Sequence, residues 1–262
     1  VCLLCVKFSK GRKMIKIIVP ISGGKDSQAC LKLALRNYNK DEVMGLFCDT
    51  QFEHPKTYSH IDNMRKIYGV EIRRITAGSV PELVLSRKRF PGNAVRFCTK
   101  YLKIRPSRIF YKEFSEKQGG FEVWYGMRSD ESSNRKKKYE GKISTVLYAP
   151  NDILKSYPKY LHKKLGVFFR LPVLDLSEVQ IFEILEGEEN PLYSLGNKRV
   201  GCFPCLMSGD KCKEHAFAQD DFGKQQRLLI HGLEKTIGHS IFTSKGGIAR
   251  NSNFTGCAIC AI

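Results

Sequence analysis

Between Ile15 and Leu35 the chain reads IKIIVPISGGKDSQACLKLAL, with a glycine pair, a lysine and an aspartate at the seam of two different periodicities. Gly23 and Gly24 let a ligand approach the main chain closely. The free N–H groups of a strand-to-helix turn and the positive end of a helix dipole suit an anion, and phosphate is the natural candidate. The ten cysteines are a second chemical resource. With no secretory leader expected, thiols in that number point to metal ligation or redox work before a disulfide framework. Cys30 and Cys48 stand in apolar contexts and read as small core residues. The other eight fall into three sets, Cys2 with Cys5, Cys98 with Cys202, Cys205 and Cys212, and Cys257 with Cys260.

The elements that must position these groups alternate. Strands are expected over Ile15–Ile21, Val43–Cys48, Val70–Ile75 and Phe121–Tyr125, and helices over Ser27–Asn37, Pro55–Tyr68, Val80–Lys88 and Thr99–Lys117. That order implies an α/β fold, a doubly wound parallel sheet whose strand carboxyl ends would gather SGGKDS, CDTQFEHP and GMRSDES at one crevice. After Pro150 the pattern changes. LDLSEVQIFEIL reads as a helix opened by Ser177 with Gln180 as its capping-box partner, NPLYSLGNKRVGCFPC as a turn-rich loop, and Asp221 to Glu234 as a last helix. Three regions follow: an extension over 1–13, a nucleotide-binding domain over 14–175, and a helical, cysteine-rich appendage over 176–262. The glycine-rich stretch 244–254 reads as loose.

With 262 residues, 42% of them hydrophobic, the chain can bury a real core. No run approaches the ~18 apolar residues of a membrane span, and a cytoplasmic setting is expected. The net charge of +18, with Arg135, Lys136, Lys137 and Lys138 in one run, favours polyanions, so nucleic acid is an expected partner beside small anions.

SGGKDS after a strand resembles the PP-loop of the adenine nucleotide alpha hydrolase superfamily. DTQFEHPKTYSHI, FCTKYLKIRP, GMRSDESSNR and NPLYSLGNKRVGCFPC narrow the resemblance to the phosphoadenosine phosphosulfate reductase-like family, over about Met14 to His215. Two departures from the sulfonucleotide-reducing members stand out. The loop keeps Lys25, and the chain ends TGCAICAI without a Glu-Cys-Gly-x-His segment; Gln51 also stands where reductases commonly carry glycine. In chemistry the match is closer to the ATP pyrophosphatase component of DNA phosphorothioation and to iron–sulfur tRNA thiolases.

The resemblance implies ATP cleavage between the α and β phosphates, with Mg²⁺. Ser22, Gly23, Gly24, Lys25, Asp26 and Ser27 would cradle the phosphates, with Lys25 as point charge and Asp26 placing Mg²⁺. Asp49 and Glu53 would contact metal or ribose. Arg128 and Arg135 would bind phosphate, with Glu131 orienting one of them. Lys25, Asp26 and Arg128 are the expected catalytic residues. An acceptor oxygen attacks the α phosphorus, and a sulfur nucleophile then displaces the adenylate. Cys98, Cys202, Cys205 and Cys212 would hold an iron–sulfur cluster, or a three-ligand cluster without Cys212, for which His215 is a weak substitute. A closed zinc site on the same thiols is the alternative. Two further readings are a sulfonucleotide reductase and a non-catalytic nucleotide-binding partner in a modification complex. A sulfur donor protein is a further expected partner of the first.

Overall fold

The computed structural model describes residues 14–92 and 95–242. Cys2, Cys5, Cys257 and Cys260, the extension 1–13 and the stretch 244–254 lie outside the described residues.

Five parallel strands form one sheet in the order β3-β2-β1-β4-β5. β1 (Ile17–Ile21), β2 (Val43–Asp49), β3 (Glu71–Thr76) and β4 (Phe121–Trp124) stand within a residue or two of the expected runs. β5 (Val167–Arg170) was not anticipated, since four residues of VFFR offer too short a run to separate from a loop, yet they pair with Phe121 to Trp124.

α1 (Lys25–Asn37) and α2 (Pro55–Tyr68) follow β1 and β2. α3 (Val80–Arg87) is opened by a Ser79–Glu82 capping box. The segment expected as one helix from Thr99 begins instead with a π-helical turn, Thr99–Ile104, and continues as α4 (Arg105–Gln118) with Pro106 in its first turn. Such wide turns mark places where a backbone is bent to present side chains. Three short helices follow β4 or precede β5: α5 (Ser133–Lys138), α6 (Pro150–Ile153) and α7 (Tyr160–Lys163). α8 (Glu178–Leu185) has the expected Ser177–Gln180 capping box, and α9 (Asp210–Ala218) and α10 (Asp221–Ile237) are the last helices among the described residues.

Both faces of the sheet are covered by apolar side chains. α1, α2 and α8 bury Ala29, Leu31, Ile61, Met64, Ile181 and Leu185 against Ile17, Val19 and Phe47 on one face. Tyr111, Tyr157, Leu161 and Phe169 pack around Ile18, Leu46 and Val123 on the other. A third cluster joins Phe52, Val84 and Leu102 to Leu206, Phe217, Ile230 and Phe242, and so fixes the cysteine-bearing segment to the rim of the sheet. Strand order reverses between β1 and β4. In open parallel sheets the ligand crevice lies at such a reversal, outside the carboxyl ends of the strands. Among the described residues no helix is long and apolar enough to cross a membrane.

Candidate functional site

The loop from Ser22 to Ser27 sits at that reversal. Gly23 is left-handed at φ +77°, and a Cβ there would lie 2.5 Å from Thr57 Cγ2, so the residue type is fixed twice over. Ser27 Oγ donates to the Gly24 carbonyl at 2.8 Å, and the Ser22 N–H donates to Ser27 Oγ at 3.2 Å, which closes the loop upon itself. Asn190, wholly buried, donates to the Gly23 carbonyl at 3.1 Å.

Lys25 opens α1. Its backbone N–H donates to the Tyr193 hydroxyl at 2.9 Å, while Nζ meets Glu178 Oε1 at 2.9 Å and the Lys198 carbonyl at 3.4 Å, above the Tyr193 ring. The ammonium is buried but its partner Glu178 is exposed. The Lys25 ammonium, bonded first to that carboxyl, holds Glu178 below the ordinary glutamate range. Asp26 accepts from Arg128 Nε at 2.6 Å. Arg128 is only 3% exposed, and its Nη1 has no hydrogen-bond partner, with Asp130 Oδ2 at 3.9 Å. A buried guanidinium N–H without an acceptor costs on the order of 1–3 kcal/mol, and an anion in the crevice would remove that cost. Arg135 and Arg199 both close on Glu131, so the expected orienting role of Glu131 falls on two arginines, one of them from the segment after α8. Burial pulls the Arg135 guanidinium below its ordinary value.

Gly126 brings the end of β4 across the start of α1. A Cβ there would stand 2.7 Å from the Asp26 carbonyl. GMRSDES and SGGKDS therefore meet directly, as expected. The acidic loop after β2 lies differently from its expected role. Asp49 is buried and fully engaged: Oδ1 accepts from Gln51 N–H and Tyr58 Oη, each at 2.8 Å, and Oδ2 accepts from Arg74 Nε at 2.9 Å. Burial pushes its carboxyl up, but Arg74, Gln51 and Tyr58 together outweigh that and hold it below the usual aspartate range. Glu53 accepts from Thr50 Oγ1 at 2.7 Å and from the Thr50 and Phe52 N–H groups at 3.2 Å. Both carboxylates shape the loop.

That loop carries the thiols. Glu53 and Cys202 form an antiparallel bridge, the Phe203 N–H donates to the Phe52 carbonyl at 2.7 Å, and Cys202 Sγ lies 3.3 Å from Thr50 Oγ1 and donates to Glu53 Oε1 at 3.8 Å. Lys103, from the π turn, is raised above its ordinary value by Cys202 first, then by Glu53 and Cys205, against its burial. Burial pushes the Cys202 thiol up to about 12, with Lys103 opposing. Burial also raises Cys98, as does the neighbouring Cys205. Cys98, Cys202 and Cys205 are therefore neighbours around one lysine. As a donor set they have the chemistry of an iron–sulfur or zinc site, but not the arrangement. Among the described residues no group of three or more His, Cys, Asp or Glu side chains is placed to hold a metal ion, so the expected four-cysteine centre is not assembled. Its fourth member, Cys212, sits exposed on α9, and His215 on the same helix bonds the Leu195 carbonyl at 3.1 Å.

Sequence reasoning missed Glu178, Asn190, Tyr193 and Lys103. Asn190 and Tyr193 lie in the NPLYSLGNKRVGCFPC motif, so the signal was present without a partner to attach it to.

A family profile described as the phosphoadenosine phosphosulfate reductase domain matches residues 16–208. An uncharacterized protein of Methanocaldococcus jannaschii is 29% identical over 192 residues, covering 72% of this chain and 36% of its own length. An uncharacterized 37.8 kDa protein of Escherichia phage 186 is 24% identical, covering 72% of this chain and 66% of its own. The chain thus spans less than two thirds of these relatives. Among solved structures, phosphoadenylyl-sulfate reductase from Candida auris is 15% identical with a TM-score of 0.48, over 73% of this chain and 83% of its own. The U34-tRNA thiolase NcsA from Methanococcus maripaludis is 19% identical with a TM-score of 0.46, over 96% and 82%.

Proposed function

The chain belongs to the phosphoadenosine phosphosulfate reductase domain family, and from that premise we propose that it cleaves ATP between the α and β phosphates to adenylate an acceptor oxygen for sulfur transfer, the acceptor being a nucleic acid. The observation that carries this reading is the buried, unpartnered Nη1 of Arg128 beside Asp26 and Lys25. Three charged side chains meet there at the start of α1, whose positive dipole end suits a triphosphate.

In the proposed reaction the acceptor oxygen attacks the α phosphorus. The bond from that phosphorus to the bridging oxygen breaks, and pyrophosphate leaves with the electron pair. Lys25 exchanges Glu178 and the Lys198 carbonyl for phosphate oxygens, and Arg128 Nη1 supplies the donor it now leaves unused. Mg²⁺ would be held at Asp26, whose second oxygen does not meet Arg128 Nε, and would neutralise charge on the phosphates. Asp49 and Glu53 act one layer back, by holding the loop that carries Cys202. Sulfur at the hydrosulfide level then displaces AMP from the activated carbon, a substitution without net electron transfer. Cys98, Cys202 and Cys205 are the groups able to bring sulfur to it. Metal at these thiols is no part of the adenylation step.

Labelled ATP tests the proposal. AMP and pyrophosphate support it; sulfite released from a sulfonucleotide, with no AMP from ATP, would replace it with the reductase reading. Tight ATP binding with no product would leave a nucleotide-binding partner.

A further inference from the structure

Part of the positive charge of the described residues is paired with carboxylates, and part, spread along the chain, is not. Arg73, Arg74, Arg128, Arg135 and Arg170 each meet a carboxylate. Among the described residues, Arg87, Lys88, Arg89, Lys100 and Arg105 form no ion pair, and all five are exposed. Arg105 lines a groove of about 680 Å³ between α3, the π turn and α4, Arg87 and Lys100 lie over the ring of its Tyr101, and Lys88 and Arg89 follow Arg87 in sequence. Its upper end is formed by Ile75 to Ser79, the last two residues of the edge strand β3 and the three that follow, so it opens at the same end of the parallel sheet as the loop from Ser22 to Ser27.

The floor is apolar, with Leu83, Leu102, Pro106 and Phe110, and Ile109 is left 45% exposed. Tyr101 stands in the wall with the Arg87 guanidinium 4.5 Å from its ring centre and Lys100 Nζ at 5.5 Å. Arg105 lines the groove, and Lys88 and Arg89 continue the end of α3. Two carboxylates also line it. Glu82 is tied to the Ser79 N–H at 2.8 Å, and Glu113 lies two turns along α4 from Arg105, which leaves the Tyr101 end the positive one. The same π turn that offers Tyr101 to the groove offers Lys103 to the thiols.

We propose that this groove binds a single-stranded stretch of RNA, one base stacking on Tyr101 in the place the Arg87 guanidinium now takes over that ring, with Arg87 turning to a flanking phosphate and further phosphates lying against Lys88, Arg89, Lys100 and Arg105. An apolar occupant such as a partner helix would cover Arg105 without giving it a counter-charge. A duplex keeps its bases stacked and offers nothing to the ring. Unpaired segments, which RNA presents in its loops, supply both a bare base face and phosphates. The proposal rests on nucleic acid being the acceptor in the reading above, and it places that acceptor's approach beside the thiols.

The test is fluorescence anisotropy with the full chain and a labelled oligouridylate of about twelve nucleotides, within the range such grooves cover. Tyr101→Ala should weaken binding about tenfold and Tyr101→Phe should not. Replacing Arg87, Lys88 and Arg89 by alanine should lower the slope of log K against log salt by about 2, for three lost phosphate contacts. Equal affinity in all three variants, loss in the Phe variant equal to that in Ala, or binding to the matching DNA strand or a duplex as tight as to RNA overturns the assignment. AMP production from ATP is measured on the same samples. RNA binding that follows the expected pattern without AMP sinks the adenylation reading alone; AMP production with binding indifferent to these variants sinks the groove alone.

Discussion

Gly126→Ala places a methyl group against the phosphate loop. The new Cβ would lie 2.7 Å from the carbonyl carbon and oxygen of Asp26 and 2.8 Å from Ser27 N, where ordinary contact begins at 3.4 Å, so the two segments must part by about 0.7 Å. Neither can give way at an end, because these are main-chain atoms and Arg128, two residues on, is bound to Asp26 at 2.6 Å. Overpacking of this kind costs about 1–3 kcal/mol. A shift approaching 1 Å in groups that position a reacting phosphate costs up to about a hundredfold in rate. The measurement pairs thermal melting with AMP release, against Gly232→Ala as the reference. In α10 a Cβ at Gly232 meets nothing within 4 Å, so that change should stabilise by about 0.5–1 kcal/mol and leave activity alone. If Gly126→Ala melts and turns over like the parent, the contact between the two motifs does not set the loop's position and the argument from close approach is wrong.

Lys25→Ala should cut AMP formation about a hundredfold, on the order of 3 kcal/mol, with melting little changed because the Glu178 it abandons is already exposed. Asp26→Asn should behave otherwise: it strands the Arg128 cation in the interior and should destabilise by about 3–5 kcal/mol, so an unchanged denaturation midpoint would show that Arg128 has another counter-charge. His60, whose Nε2–H donates to Gln28 Oε1 at 2.9 Å, is held neutral by burial with its pKa down to about 4. The unfolded chain takes up that proton near 6.5, so His60 favours the fold fully above that pH. About 3 kcal/mol is lost as pH falls from about 6.5 to about 4, and His60→Gln should flatten that part of the stability curve. Alkylation at pH 8 with peptide mapping should label exposed Cys212 well before Cys202, whose thiol burial pushes up to about 12; equal rates would contradict the buried environment.

The sheet was legible because its strands are β-branched runs between helices of regular apolar spacing. Ile17 to Ile21 and the helix from Pro55 to Tyr68 stand where periodicity put them. The strand-to-helix turn from Ser22 to Ser27 was legible because glycine at Gly23 answers a local backbone demand. Partners brought in from afar were not. Tyr193 reaches Lys25 across 168 residues and Asn190 reaches Gly23 across 167, and no local pattern encodes such a meeting. The acidic residues after β2 show the reverse failure. Asp49 and Glu53 had the right residue types for metal or ribose, but Arg74, Tyr58 and Thr50 take up their oxygens, and only the fold shows that competition. Lys103 falls within the expected helix from Thr99, whereas a π turn over Thr99–Ile104 holds it.

The segment from Asn190 to Cys202 is fastened at both ends, to Gly23 and Lys25 through Asn190, Tyr193 and Lys198, and to the loop after β2 through the Glu53–Cys202 bridge. A ligand that takes Lys25 away from the Lys198 carbonyl pulls on a chain whose other end, four residues on, is a thiol. Linkage then makes any effect mutual: the factor by which such a ligand changes the equilibrium of Cys202 with a reversible blocking group is the factor by which that group changes the ligand's affinity. Read in that way, the strap is a balance beam, and a titration of nucleotide against protein alkylated at Cys202 weighs one arm by loading the other.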